Sequence, residues 1–176
     1  GSAGADAITG TVTATLGDTI YGYAGADVIT VAVDAMQTAD VIDGGAGSDT
    51  LTISGTGTLV DADLTGVTNI EKFEHAGTST LTTLGTQYME SGSAEITLGA
   101  VTNGLNLDAI TNDQILNLVA GTDTVDASAM TGALNVKFAE ASLDTNDTLT
   151  GGTGTADTLT ITYNGTANVA GDFDNV

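Results

Sequence analysis

The sequence predicts an all-β chain wound as a parallel β-solenoid with glycine-rich turns, and three observations point there. The 176 residues hold 24 Gly and no Pro, Cys or Trp, a profile of many short strands and tight turns, not of packed helices. A glycine-aspartate phrase returns along the chain in one phase. Each copy runs directly into alternating residues such as Leu51-Thr52-Ile53, the period of a strand with one face turned inward. Hydrophobic residues make up 41% and mean hydropathy is +0.19, so the chain has the apolar content to fold despite its acidity.

The units "GSAGADAIT" at 1–9, "GYAGADVIT" at 22–30, "GGAGSDTLT" at 44–52 and "GGTGTADTLT" at 151–160 share the template GxxGxDxUx, with U a large aliphatic; the last carries one inserted residue. Partial copies without the glycines lie at "GDTIY" (17), "ADVID" (39), "NDQIL" (112), "TDTVD" (122) and "NDTLT" (146). Asp18 to Asp27 and Asp40 to Asp49 are each nine residues apart. Nine residues suit about half a coil: a six-residue turn, then a three-residue strand whose middle aliphatic points inward. Ile8, Ile20, Ile29, Ile42, Leu51, Leu149 and Leu159 are the expected inner ladder. Hairpins with Gly/Asp turns fit less well, because hairpins do not require each turn to begin at the same phase. Between the glycine-rich clusters, Ile96–Leu98, Leu105–Leu107, Ile115–Leu118 and Leu134–Val136 recur as strand-like pieces, which suits successive rungs. A short helical turn is expected near 85–93. The chain divides into 1–52 with glycine-aspartate turns, 53–146 as spacer rungs, and 147–176 as a second such turn and the start of a further repeat. Because 156–176 repeats the pattern of 48–67 and then stops, the parent protein is expected to continue past Val176.

Charge narrows the function classes. Against 23 acidic residues stand two basic ones, Lys72 and Lys137, for a formal net charge of −21. Eighteen of the acids are Asp, the shorter acid favoured in turns and as a hard-cation ligand. Such a charge repels nucleic acid and anionic membranes. No apolar run reaches the roughly 18 residues of a membrane span, and the N-terminus lacks the basic and apolar regions of a signal peptide. Without Cys there is neither a disulfide framework nor a thiolate site.

A six-residue turn with Gly at positions one, two and four lets the backbone take φ > 0 and aim its carbonyls at a common centre. The Asp at position six adds a carboxylate. Two such turns stacked one coil apart offer about six oxygens, the number Ca²⁺ prefers, whereas Mg²⁺ would have to shed too many waters. Zn²⁺ lacks the His and Cys it needs.

The four units resemble the RTX nonapeptide GGxGxDxUx, the calcium-binding repeat of secreted bacterial proteins. "TGVTNIEKFE" (65–74) and "TVDASAMTGALNV" (124–136) are similar to spacers of RTX-type surface-layer proteins. The resemblance implies a right-handed parallel β-roll or β-helix. It implies carboxylate ligands at Asp6, Asp27, Asp49 and Asp157. Carbonyl ligands follow at Gly22, Gly44 and Gly151 and at the residues two beyond them, Ala46 and Thr153 among these. Gly45, Gly47, Gly152 and Gly154 complete the turns. Asp18, Asp40 and Asp147 are in phase without the full glycine set and are either second ligands or turn caps; Asp43 and Asp126 cap or coordinate. Asp34, Asp61, Asp63, Asp172 and Asp174 are expected to be solvated turn residues. By the same resemblance several Ca²⁺ ions bind, and the protein is secreted to the bacterial surface, where it self-associates into a lattice; without the ions the stacked Asp rows repel one another, so the calcium-free chain is expected to be largely unfolded or loose.

No catalytic role is expected. A polysaccharide lyase on this scaffold needs a basic proton abstractor, and the two lysines are isolated. Paired carboxylates of a glycosidase compete with Asp residues already explained by turn phase. His75 has no Ser or Cys context and is expected at a corner or surface. Tyr21, Tyr23, Tyr88 and Tyr163 are scattered and are expected to cover solenoid faces. An adhesin extender segment, or the calcium region of a secreted toxin or enzyme, is the alternative to a surface-layer piece; long spacers favour the latter.

Overall fold

The computed structural model describes residues 1–10, 17–76, 80–81, 83–99, 103–139, 142, 146–154 and 156–162. Sixteen strands follow one another among them: β1 (Ala7–Thr9), β2 (Thr19–Tyr21), β3 (Val28–Ala32), β4 (Val41–Asp43), β5 (Thr50–Ser54), β6 (Thr58–Leu59), β7 (Val67–Thr68), β8 (Lys72–His75), β9 (Thr80–Leu81), β10 (Glu95–Thr97), β11 (Asn103–Asn106), β12 (Gln114–Leu118), β13 (Asp123–Asp126), β14 (Leu134–Ala139), β15 (Thr148–Thr150) and β16 (Thr158–Thr162). One eight-stranded sheet runs β1-β3-β5-β8-β10-β12-β14-β16, and smaller sheets β2-β4-β7, β11-β13-β15 and β6-β9 form the other walls. Strand pairing within every sheet is parallel. The chain is the parallel β-solenoid its sequence predicts.

Register explains the core. Ile8, Ile29, Leu51, Phe73, Ile96, Leu116, Val136 and Leu159 lie in one line up the long sheet. Ile20-Ile42-Val67 and Leu105-Val125-Leu149 form ladders in the smaller sheets. Inner members of these ladders are buried, while Ile8, Ile20, Leu149 and Leu159 are partly buried against them. The expected ladder residues therefore belong to separate walls.

Coil length departs from two nine-residue halves. Val28 pairs with Thr50, Thr50 with Lys72, Lys72 with Glu95 and Glu95 with Ile115, a repeat of 20 to 23 residues. The nine-residue phase holds for one half only. The other half is longer because β3 extends to Ala32 and a 3-10 turn at Val33–Ala35 follows, burying Val33 and Met36.

His75 and Tyr88 lie elsewhere than expected. His75 is 1% exposed, because on β8 it shares the inward face with Phe73 while Lys72 and Glu74 point out; burial holds its imidazole below the ordinary histidine range. Tyr88 is fully buried on the short helix α1 (Thr86–Glu90), edge-on to Phe73 with ring centroids 6.1 Å apart. That helix lies where a helical turn is expected. Asp172, Asp174 and Tyr163 fall outside the described residues.

Candidate metal centre

Turns 1–6, 22–27 and 44–49 each lead into a strand of the long sheet, so they stack along one edge of the solenoid. The Gly25 N–H donates to the Ala46 carbonyl at 2.8 Å, and the Ala46 N–H to the Tyr23 carbonyl at 2.7 Å. Between coils the acids form a column: the Asp6 N–H donates to Asp27 Oδ1 (2.8 Å) and the Asp27 N–H to Asp49 Oδ1 (2.8 Å). The Asp49 N–H donates in turn to Glu71 Oε2 (2.7 Å). At the top of the column, Asp6 accepts from the Ser2 N–H, which draws its carboxyl below the usual carboxylate range.

Asp27 and Asp49 thus each spend one oxygen on the coil before them. The other oxygen is different. Asp27 and Asp49 are 0% exposed, and Oδ2 of each is buried with no hydrogen-bond partner. A buried carboxylate oxygen left unpaired is costly, and burial, with Glu71, Asp27 and Asp43 nearby, pushes the Asp49 carboxyl up despite the Asp27 N–H.

The glycines keep the space beside these oxygens open. A Cβ on Gly22 would collide with the Gly44 carbonyl and Asp27 Oδ2, and one on Gly44 with the Asn69 carbonyl and Asp49 Oδ2. Gly45 has φ +96°, a left-handed conformation. In the preceding coil Tyr23 takes the equivalent position at φ 79° and is 62% exposed, its ring 6.1 Å from that of Tyr21.

No three His, Cys, Asp or Glu side chains converge among the described residues, so side chains alone cannot form a cage. The donor set is instead one carboxylate oxygen per coil in a wall of backbone carbonyls. Oxygen donors of this kind fit a hard cation such as Ca²⁺. Asp6, Asp27 and Asp49, with the Gly22 and Gly44 carbonyls beside them, would hold it, and the ion would supply the positive charge that the orphaned oxygens lack. The Ala46 carbonyl already accepts from Gly25.

The other sequence-predicted residues serve different partners. On the far side of the coil Asp40, 2% exposed, accepts the Asp18 N–H on Oδ1 and the Gln37 N–H on Oδ2, both at 2.8 Å. Asp147 Oδ1 accepts from the Asp123 N–H at 2.8 Å. Turn 151–157 rests on residues 130–134, which carry no acid: the Thr153 N–H donates to the Met130 carbonyl and the Leu134 N–H to Asp157 Oδ1, both at 2.9 Å. Gly152 and Gly154 lie close against the carbonyls of Met130 and Gly132. Asp157 and Gly151 are exposed. Asp43 accepts from Asn69 Nδ2 at 2.7 Å, and Asp126 Oδ1 from the Ser128 N–H at 3.0 Å. Asp61 is a correction: it is not a solvated turn residue but accepts three N–H groups from residues 85–88.

Sequence reasoning missed Glu71. It stands 22 residues after Asp49, as Asp49 stands after Asp27, so the coil length carries the signal while the nine-residue phase does not.

Residues 17–32 and 33–52 match the family model of the RTX calcium-binding nonapeptide repeat (4 copies). RTX nonapeptide repeats bind calcium, and proteins that carry them are typically secreted. No curated protein and no solved structure matches the chain. No helix among the described residues is long and apolar enough to cross a membrane.

Proposed function

We propose that this chain is a calcium-dependent structural module of a secreted bacterial surface protein, a non-enzymatic segment that self-associates into a surface layer. The observation that carries the calcium part is the pair of buried, partnerless oxygens Asp27 Oδ2 and Asp49 Oδ2 inside a stack of glycine turns. Two gaps between stacked turns, Asp6 to Asp27 and Asp27 to Asp49, have a carboxylate on each side. Below Asp49 the next turn is shorter, and Glu71 replaces aspartate. Extracellular calcium modules work with Kd values of about 10⁻⁴ to 10⁻³ M, which suits folding after export. Titrating calcium into chelated protein while following circular dichroism tests this reading; an unchanged spectrum through millimolar calcium would sink it. The surface-layer role is supported by the long rungs between glycine clusters. Imaging purified protein with calcium tests it: ordered sheets are expected, and persistent monomers favour an adhesin extender or the calcium region of a toxin or enzyme.

A further inference from the structure

The column that begins with Asp6 can be followed through the molecule by register. The residues immediately before the paired strand positions are Asp6, Asp27, Asp49, Glu71, Ala94, Gln114, Leu134 and Asp157. Its chemistry changes partway. Through Asp49 it is made of carboxylates, and those of Asp27 and Asp49 each hold a buried, unpaired oxygen. From Ala94 to Leu134 it carries no charge, and a carboxylate returns only at Asp157, which is exposed. Gln114, 1% exposed, accepts from the Tyr88 hydroxyl on Oε1 at 2.8 Å and donates from Nε2 to Asn112 Oδ1 at 3.0 Å. Ser91 Oγ donates to the Tyr88 carbonyl at 2.6 Å and lies 2.9 Å from Ser93 Oγ. A buried polar cluster whose members satisfy one another, as these do around Gln114, needs no cation, whereas a column with orphaned carboxylate oxygens does.

The apolar side of the same coils agrees. Phe73, Tyr88, Ile96, Leu116 and Val136 are all at most 2% exposed, and both lysines of the chain lie in this stretch, Lys72 pairing with Glu95 at 3.9 Å. In a stack where each coil touches only its neighbours, stability is set locally, coil by coil.

We propose that calcium dependence is confined to one end of the solenoid. The coils from β8 to β14 fold without the ion and present a finished edge, and the coils carrying β1, β3 and β5 close onto that edge only when calcium fills the aspartate column. Glu71 is the joint, because its longer side chain reaches the Asp49 N–H across a turn too short for the glycine motif. The proposal rests on the calcium reading above, and it revises the expectation that the calcium-free chain is loose throughout.

Amide hydrogen exchange on the full chain, in chelator and in millimolar calcium, tests it. The expected result is protection of β8, β10, β12 and β14 in both conditions, with amides of β3 and β5 slowing about a hundredfold or more on calcium addition. If every strand gains protection together, this proposal is overturned while the calcium reading stands. If β3 and β5 are equally protected in both conditions, the calcium reading fails and takes this proposal with it. Glu71→Ala separates the joint from the rest: calcium-induced protection of β3 and β5 is expected to be lost with β8 to β14 unchanged. Loss of protection in β8 to β14 as well would show one cooperative unit and overturn the proposal.

Discussion

Gly44 and Gly45 sit side by side in one turn for different reasons. At Gly44 the constraint is space, since a Cβ would meet the Asn69 carbonyl and Asp49 Oδ2; at Gly45 it is also conformation, φ +96°. A left-handed residue with a side chain costs roughly 1–2 kcal/mol, so Gly45→Ala is expected to lower stability by at least that much, read from the urea midpoint in calcium. Asp49→Asn keeps the shape and removes the charge. Because burial already penalises the charge of the Asp49 carboxylate, the variant is expected to lose little stability in chelator. Its calcium midpoint should rise about tenfold or more, since ligand charge tunes calcium affinity. His75 makes the pH dependence one-sided. Its folded-state affinity for a proton is depressed by burial, so the stability it contributes is complete above its unfolded pKa of about 6.5 and is lost as pH falls below that value. Thermal melts between pH 7.5 and 5.5 are expected to show this loss, and His75→Gln to flatten it.

Among the elements, α1 shows how one coil holds another. It is five residues long, too short to persist alone, and Asp61 of the neighbouring coil accepts the N–H groups of Gly85, Gln87 and Tyr88 at 2.7, 3.1 and 2.9 Å. This is an N-cap supplied across coils. Asp61→Ala is expected to cost about 1–2 kcal/mol, visible as a lower denaturant midpoint with an unchanged slope. The helix was legible in the sequence and its cap was not. Asp61 stands 24 to 27 residues from the groups it serves, and nothing local marks it as more than a turn acid. His75 was legible in principle: Lys72-Phe73-Glu74-His75 alternates as a strand should, so an inward Phe73 requires an inward His75.

At the scale of the molecule, the glycine phase made the parallel sheet and the candidate site legible, because turns that restart in one phase must stack. It did not make the coil length legible, since the half of each coil without glycines is set by how far β3 runs and by the 3-10 turn after it. With a net charge of −21, part of calcium's effect could be simple screening. Monovalent salt at about 1 M shortens the screening length to about 3 Å, yet each monovalent cation brings only half of calcium's charge to the aspartate column. Salt is therefore expected to raise the melting temperature of the chelated protein by less than millimolar calcium does; full rescue by salt would remove the case for specific binding. The parallel stack also has a mechanical meaning. Strands spaced about 4.8 Å apart put β1 and β16 only about 34 Å from each other, with seven intervals between them. The hydrogen bonds between coils run along that axis, so tension applied end to end loads one coil at a time, and each coil of 20 to 23 residues that lets go pays out about 70 Å of chain. A surface exposed to shear would gain from such a segment a tether that lengthens in steps, with the ion setting the force at which the first steps occur.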